Sequence, residues 1–273
     1  MAALKPDQAR ASKRDDRWEP RPYPRDELVQ AVLDGGMAGV VSHPLDNVLW
    51  KVGLLCEGDP GSQFGLSGVC DLSETEVMRL VAEASGWEPH PGSRFGPVQV
   101  DPARVLEECE RAGDRLAVAC DRGERVILAT GHPTGLPLLY AAVGRELRVR
   151  GLELLTPFPG RLWQDRNWGL REIRYVDDVA MVVGRGMRQH THSARPMELM
   201  LQEASPDLVF ADHGFAGTAI EAGIDTISIA DVNDPALLVA KAQGRTDVVI
   251  VMDDNVRPDA YWPCFQAIAA RLP

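Results

Sequence analysis

From residue 124 onward, short apolar runs alternate with helix-like stretches, and this alternation restricts the chain to a buried sheet covered by helices. In "ERVILATGHPTG" an apolar run, Val126 to Ala129, ends in glycines and passes into the 3.6-residue pattern of "LPLLYAAVGRELRVRG", a strand–turn–helix unit. "LELLTP" reads as a strand, and "REIRYVDDVAMVVGRG" as a hairpin turning at Asp177 and Asp178. Then follow helix "ARPMELMLQEA", strand "DLVFA", helix "AGTAIEAG", strand "DTISIA", helix "DPALLVAKAQGR", strand "DVVIVM" and a last helix near "PDAYWPCFQAIAARL". The expected fold is therefore α/β: a doubly wound, mostly parallel sheet with a β-hairpin insertion and an N-terminal helical cap region.

The front of the chain has another texture. Residues 1–25 hold four prolines and many charges without periodicity, so a poorly ordered leader is expected there. In "DELVQAVLDGGMAGVV" and "DNVLWKVGLLCEGD" apolar residues recur at three and four, the spacing of amphipathic helices. Ser73 and Glu76 in "LSETEVMRLVAEASGW" have capping-box spacing, and Asp101 before Pro102 marks the start of another helix. The expected organisation is a leader at 1–25, a helical cap at 26–115 and an α/β domain at 116–273.

Composition removes several classes of partner. A net charge of −11 leaves little basic surface for phosphate backbones or anionic lipid, which argues against nucleic acid and membrane surfaces. No apolar run has the roughly 20 residues of a membrane span, and the N-terminus lacks the apolar core of a secretion signal, so a cytoplasmic protein is expected. The five cysteines are scattered and form no CxxC pair, which disfavours a disulfide framework or a zinc knuckle. A homodimer is a common state for soluble α/β enzymes of this size.

In open parallel sheets the ligand crevice lies beyond the carboxyl ends of the strands. Here the strand ending at Ala129 is followed by "TGHPTG", that ending at Ala211 by "DHG", that ending at Ala230 by "DVNDP" and that ending at Met252 by "DDNVRP". Asp and Asn also cap helices, and Asp234 before Pro235 has the features of a plain N-cap. Four polar exits in succession, two with histidine, nevertheless define one candidate site. Within it His132, Asp212 and His213 are the candidate catalytic groups. Gly131, Thr134 and Gly135 form a turn suited to holding an anion by backbone N–H groups and a helix terminus. Asn233, Asn255 and Arg257 are further candidate substrate contacts; Arg161, Arg166 and Arg188 are other nearby cations.

"GMRQHTHSARPM" places His190 and His192 two residues apart, so that on an extended segment both would face one way. On a tight loop only one need turn inward. His192 and Ser193 are assigned to the site, with His190 outside it and Ser193 also able to cap the helix starting near Arg195.

Carboxylates from separate strands, histidines and an anion-holding turn suit metal-assisted phosphoryl transfer. Asp212, Asp231 and Asp254 would hold Mg2+ or Mn2+, and recruitment of histidine would shift the preference toward Zn2+ or iron. Other phosphatase designs fit poorly. "DVND" has Asn233 where an aspartyl-phosphate enzyme needs its second Asp, "DHG" replaces the arginine of RHG, and no cysteine lies convincingly five residues before an arginine.

The stretches "ATGHPTGLPLLYAAVGREL", "HTHSARPM", "DLVFADHGFAG", "AGIDTISIADVNDPALLVA" and "MDDNVRP" resemble a group of actinobacterial proteins labelled simply as phosphatases. The resemblance covers residues 120–265 closely and the front part loosely. It implies hydrolysis of a small phosphate monoester, with Gly131, His132, Thr134, Gly135, His192, Ser193, Asp212, His213, Asp231, Asn233, Asp234, Asp254 and Asn255 as the site. "SHPLDNVLWKVG" stands where the resemblance leads one to expect a more basic, serine-containing stretch. Two other classes stay open on the same residues: a metal-dependent lyase or cyclase acting on a small carboxylic acid, and a non-catalytic small-ligand-binding protein.

Overall fold

The computed structural model describes residues 15–165 and 169–273. Residues 1–14 of the expected leader and Arg166 lie outside the described residues. The helices are α1 (Arg25–Asp34), α2 (Leu45–Cys56), α3 (Pro60–Gln63), α4 (Glu74–Ser85), α5 (Pro102–Arg122), α6 (Pro137–Val149), α7 (Arg195–Leu201), α8 (His213–Glu221), α9 (Pro235–Ala242) and α10 (Trp262–Ala269). The strands are β1 (Gly39–Val40), β2 (Gln99–Val100), β3 (Arg125–Ala129), β4 (Glu153–Leu154), β5 (Leu162–Asp165), β6 (Gly169–Val176), β7 (Val179–Gly184), β8 (Met187–Arg188), β9 (Leu208–Asp212), β10 (Asp225–Ala230) and β11 (Val248–Val251).

β1 and β2 pair by themselves; the remaining strands form one sheet in the order β11–β10–β9–β3–β7–β6–β5. From β11 to β7 all pairings are parallel, and β6 and β5 continue antiparallel. β4 pairs with the start of β3 and β7 with its end, so the two share one edge of that strand. This is the expected mixed α/β class with a mostly parallel sheet. The antiparallel part is larger than one hairpin, because β5 and β8 add to it. The hairpin itself turns at Asp177 and Asp178 with φ of 47° and 64°, the paired left-handed geometry that matches strand twist.

Every residue of β9 and β11, and every residue of β10 after Asp225, is buried. Since successive side chains point to opposite faces, both faces of this half of the sheet are covered. Two helix groups do the covering: α1, α5, α6 and α10 pack on one another, as do α2, α4, α7, α8 and α9 in sequence. Fully buried Phe210, Phe215, Phe265 and Leu106 each contribute roughly 1.5–3 kcal/mol.

The front helices share this core. A single cluster of buried apolar residues runs from Leu28 to Ala269, and α1 and α5 both pack on α10. The expected boundary at 115/116 falls inside α5, whose apolar face seats against β11. The described end of the leader is tied down as well: Gln266 donates from Nε2 to the carbonyls of Arg17 and Glu19, and Trp18 packs on Phe265. Local signals hold where they were read, with the Ser73–Glu76 capping box formed and Asp101 accepting from Ala103 N–H. Among the described residues no helix is long and apolar enough to cross a membrane.

Candidate active site

Five of the six histidines line one cavity of about 550 Å³ together with Asn47, Lys51, Thr134, Arg188, Asn233, Asp234, Asp254 and Asn255. The parallel strands deliver most of them, because β3, β9, β10 and β11 all end at this rim.

Its centre is His213, the first residue of α8. The residue is left-handed at φ 47°, an uncommon torsion for a side chain larger than glycine, and its ring is buried. Nδ1 lies 2.7 Å from Asp212 Oδ1, while Nε2 faces Asp234 Oδ2 at 3.3 Å and Asp254 Oδ2 at 3.7 Å. Burial by itself disfavours the charged ring, but the carboxylates of Asp234 and Asp212 raise its pKa well above the ordinary value. Asp212 is fully enclosed: Gly131 N–H donates to Oδ1 at 2.6 Å, and the Tyr140 hydroxyl donates to Oδ2 at 3.1 Å. It orients the imidazole from behind and is not among the residues lining the cavity.

This arrangement changes the role of the glycine turn. The Gly131 amide is occupied by Asp212 and is not free for an anion. A Cβ at Gly131 would stand 2.4 Å from Thr191 O, and one at Gly214 would stand 2.4 Å from His192 O. The two glycines let the backbone of 190–193 lie directly against β3 and α8, where Thr191 N–H donates to Gly131 O. Gly135 is likewise a packing position, its missing Cβ facing Asp254 O, Tyr261 and Val256 O.

Seated so closely, both histidines of "HTH" turn to the site. The His192 ring stacks on His213 with centroids 4.7 Å apart, and His190 lies edge-on to His132, His192 and His213 at 5.0, 4.9 and 5.1 Å. The expectation that His190 stays outside is therefore corrected. Partial burial and the neighbouring His213 hold the His192 pKa down to about 4, so the ring is neutral near pH 7. Ser193, by contrast, serves the backbone. Its hydroxyl accepts from Arg195 N–H at the start of α7, and it lies outside the cavity.

Other expectations resolve individually. Asp234 occupies the N-cap position of α9 but makes no capping bond with its side chain; its carboxylate faces His213 instead. His132 lines the cavity with Nε2 3.8 Å from Asp254 Oδ1, and burial lowers its pKa. Thr134 and Asn255 line the cavity and are exposed. Asn233 does so too, although its amide donates to Asn47 Oδ1 at 2.9 Å. Arg257 points into solvent, 83% exposed and paired with Asp259, and takes no part. The cations that line the cavity are Lys51 and Arg188.

Sequence reasoning passed over α2. Asn47 and Lys51 stand four residues apart on one stripe of α2 and His43 lies just before the helix; together they form a wall of the cavity. Asn47 is tied to Asn233, and His43 Nε2 lies 3.5 Å from Asp231 Oδ2. The four-residue spacing was the available signal, hidden in a segment that reads as an ordinary amphipathic helix.

The donor set fits a metal ion. Among the described residues, Oδ2 of Asp231, Oδ2 of Asp254 and Nδ1 of His132 are buried without a hydrogen-bond partner, a costly state for protein alone. Burial, together with the neighbouring carboxylates, pushes the pKa of Asp231 well up; burial, against the pull of His213, pushes that of Asp254 up to about 8. The cluster carries more negative charge than its imidazoles offset. Two groups of ligand atoms lie within 4.8 Å of one another, His190–His192–His213 and His213–Asp234–Asp254. Of the expected trio Asp212, Asp231 and Asp254, only Asp254 belongs to either: Asp212 is enclosed behind His213, and Asp231 accepts from Val232 N–H and faces His43.

The fold and this site describe an α/β protein with a cluster of acids and imidazoles at the strand exits of a parallel sheet. A family model described as Phosphatase matches residues 23–272. Phosphatase SCO2771 of Streptomyces coelicolor is 35% identical over 245 residues, covering 87% of this chain and 92% of the relative. The chain belongs to that phosphatase family.

Proposed function

We propose that the protein is a divalent-metal-dependent phosphatase that hydrolyses a small phosphate monoester in the cavity around His213. The observation that carries this reading is the convergence of His190, His192, His213, Asp234 and Asp254, with buried polar atoms left unpaired among the surrounding acids. Family membership supports hydrolysis, and the mixed imidazole and carboxylate donors favour Zn2+ or Mn2+ over Mg2+, which prefers oxygen ligands alone. The same reading takes the sheet as doubly wound, with the crevice opening where the strand order reverses between β9 and β3.

His213 would hold the ion through Nε2, with Asp234, Asp254 and the paired histidines completing the set. Such an ion polarises phosphoryl oxygens and makes water more acidic. Asp212 fixes the tautomer of His213 so that Nε2 is the atom presented to the cavity. Lys51 and Arg188 attract and orient the phosphate charge. His132, kept neutral by burial, accepts the proton of the attacking water at Nε2, where Asp254 Oδ1 at 3.8 Å steadies the charge that forms. His132 then returns that proton to the leaving oxygen, and the products are inorganic phosphate and the free alcohol.

A panel of sugar, polyol and amino-alcohol phosphates, assayed for released phosphate with and without chelator and after Zn2+ or Mn2+ is restored, tests this. Release that disappears with chelator and returns with metal is expected. Turnover of an unphosphorylated hydroxy or amino acid with no phosphate release would replace hydrolysis by the lyase reading, and binding without turnover by the ligand-binding one.

A further inference from the structure

His190 and His192 line a second cavity on their other side. It measures about 630 Å³ and lies between the 60–65 segment, the 189–196 segment and strands β5 to β7. Its floor holds Trp163 and Arg171, directly opposed across β5 and β6, so both side chains rise from the same face.

Both are buried donors short of an acceptor. Arg171 is 6% exposed, and among the described residues its guanidinium donates only to Leu170 O, at 3.3 Å, with no carboxylate within 4.0 Å. Trp163 is 9% exposed, and among the described residues its Nε1–H has no hydrogen-bond partner. Asp165 lines the same cavity. Withdrawing a guanidinium from water with so few partners costs stability, and two such donors in one cavity suit the arrival of an anionic oxygen group.

Resting on the phosphatase reading above, we infer that this second cavity takes the alcohol portion of the ester and selects alcohols that carry a second anionic group. The phosphate being cleaved would occupy the His213 cavity, the two histidines would flank the ester, and Arg171 with Trp163 Nε1–H would bind a carboxylate or a second phosphate. The indole face would pack on the carbon chain between them.

Calorimetric titration of the metal-loaded protein with three series of non-hydrolysable ligands, each two to four carbons long, tests the inference: alkylphosphonates, carboxyalkylphosphonates and alkylene bisphosphonates. One anionic series is expected to bind at least about tenfold tighter than the alkyl series. Stronger gain with the carboxy series names a carboxylate as the second group; stronger gain with the bisphosphonates names a phosphate. Arg171→Met should collapse the ratio, and Trp163→Phe, which keeps the ring and removes the donor, should reduce it if Arg171→Met fails to fold. An equal affinity for all three series, or a ratio that survives in the folded variants, overturns the inference. If the ratio behaves as expected while no ester is hydrolysed, the second cavity stands and the phosphatase reading alone falls.

Discussion

At the exits of β9, β10 and β11 the carboxylates of Asp212, Asp234 and Asp254 are buried and held around the His213 imidazole, whereas on the facing wall Asn47 and Lys51 are half-buried on α2 and His43 just before it. The first wall is built into the sheet core, so its atoms are placed before any ligand arrives. The second is docked through long-range contacts, Asn47 to Asn233 and His43 to Asp231. Under the proposed function this contrast puts reactivity on the sheet wall and substrate retention on the helix wall, and substitutions on the two sides should therefore fail differently.

The largest effect is expected on the sheet side. Asp254→Asn should lower kcat/KM by about 100-fold or more, beyond the usual cost of losing an outer partner of a metal ligand. Its carboxyl is pushed up to about 8, so the ionised form burdens the fold above the ordinary carboxylate range; in chelator the variant should melt no lower than the parent. Lower melting would mean that Asp254 is a structural residue. Asp212→Asn should cost about 10–100-fold in activity or metal affinity, since the enclosed oxygen that sets the His213 tautomer is replaced. On the helix side Lys51→Met should raise KM roughly tenfold while kcat changes little, the signature of binding shared by ground and transition states. If kcat falls instead, the division between the walls is wrong.

The smallest effect concerns the contacts joining the front of the chain to α8. Glu221 accepts from Ser67 N–H and Oγ–H and pairs with Arg245, and these partners, the Ser67 hydrogen bonds first, hold its carboxyl down to about 2. A depressed folded-state pKa adds stability that is complete above pH 4.5 and is lost as the pH falls toward 2. Because the site is partly exposed, Glu221→Gln should remove less than about 1 kcal/mol, seen as a shallower acid limb in urea unfolding measured against pH.

The two walls also differed in how far they could be read from residues alone. β9 to β11 and the helices after them are visible because continuous apolar runs and 3.6-residue periods are local, and their polar exits follow from the rule for parallel sheets. The Asp177–Asp178 turn and the Ser73–Glu76 cap are equally local. The stripe on α2 is not, because nothing within "SHPLDNVLWKVG" reveals that Asn233, 186 residues away, will meet Asn47. Gly131 looked like an anion nest because a glycine needed for close approach and one needed to expose an amide look alike in a sequence. The inward seat of His190 is hidden for a related reason: two glycines elsewhere in the chain, Gly131 and Gly214, decide how deeply its segment sits. Arg257 follows the motif but faces outward, paired with Asp259.

The left-handed backbone of His213 has a consequence for how such a centre can change over time. Glycine would relax that torsion at once and discard the ring; most larger side chains would keep bulk there and gain nothing. Comfort of the main chain and usefulness of the imidazole thus pull one position in opposite directions. On the proposed function, drift at residue 213 should lead toward sturdier proteins without chemistry, with selection for turnover keeping the histidine in place.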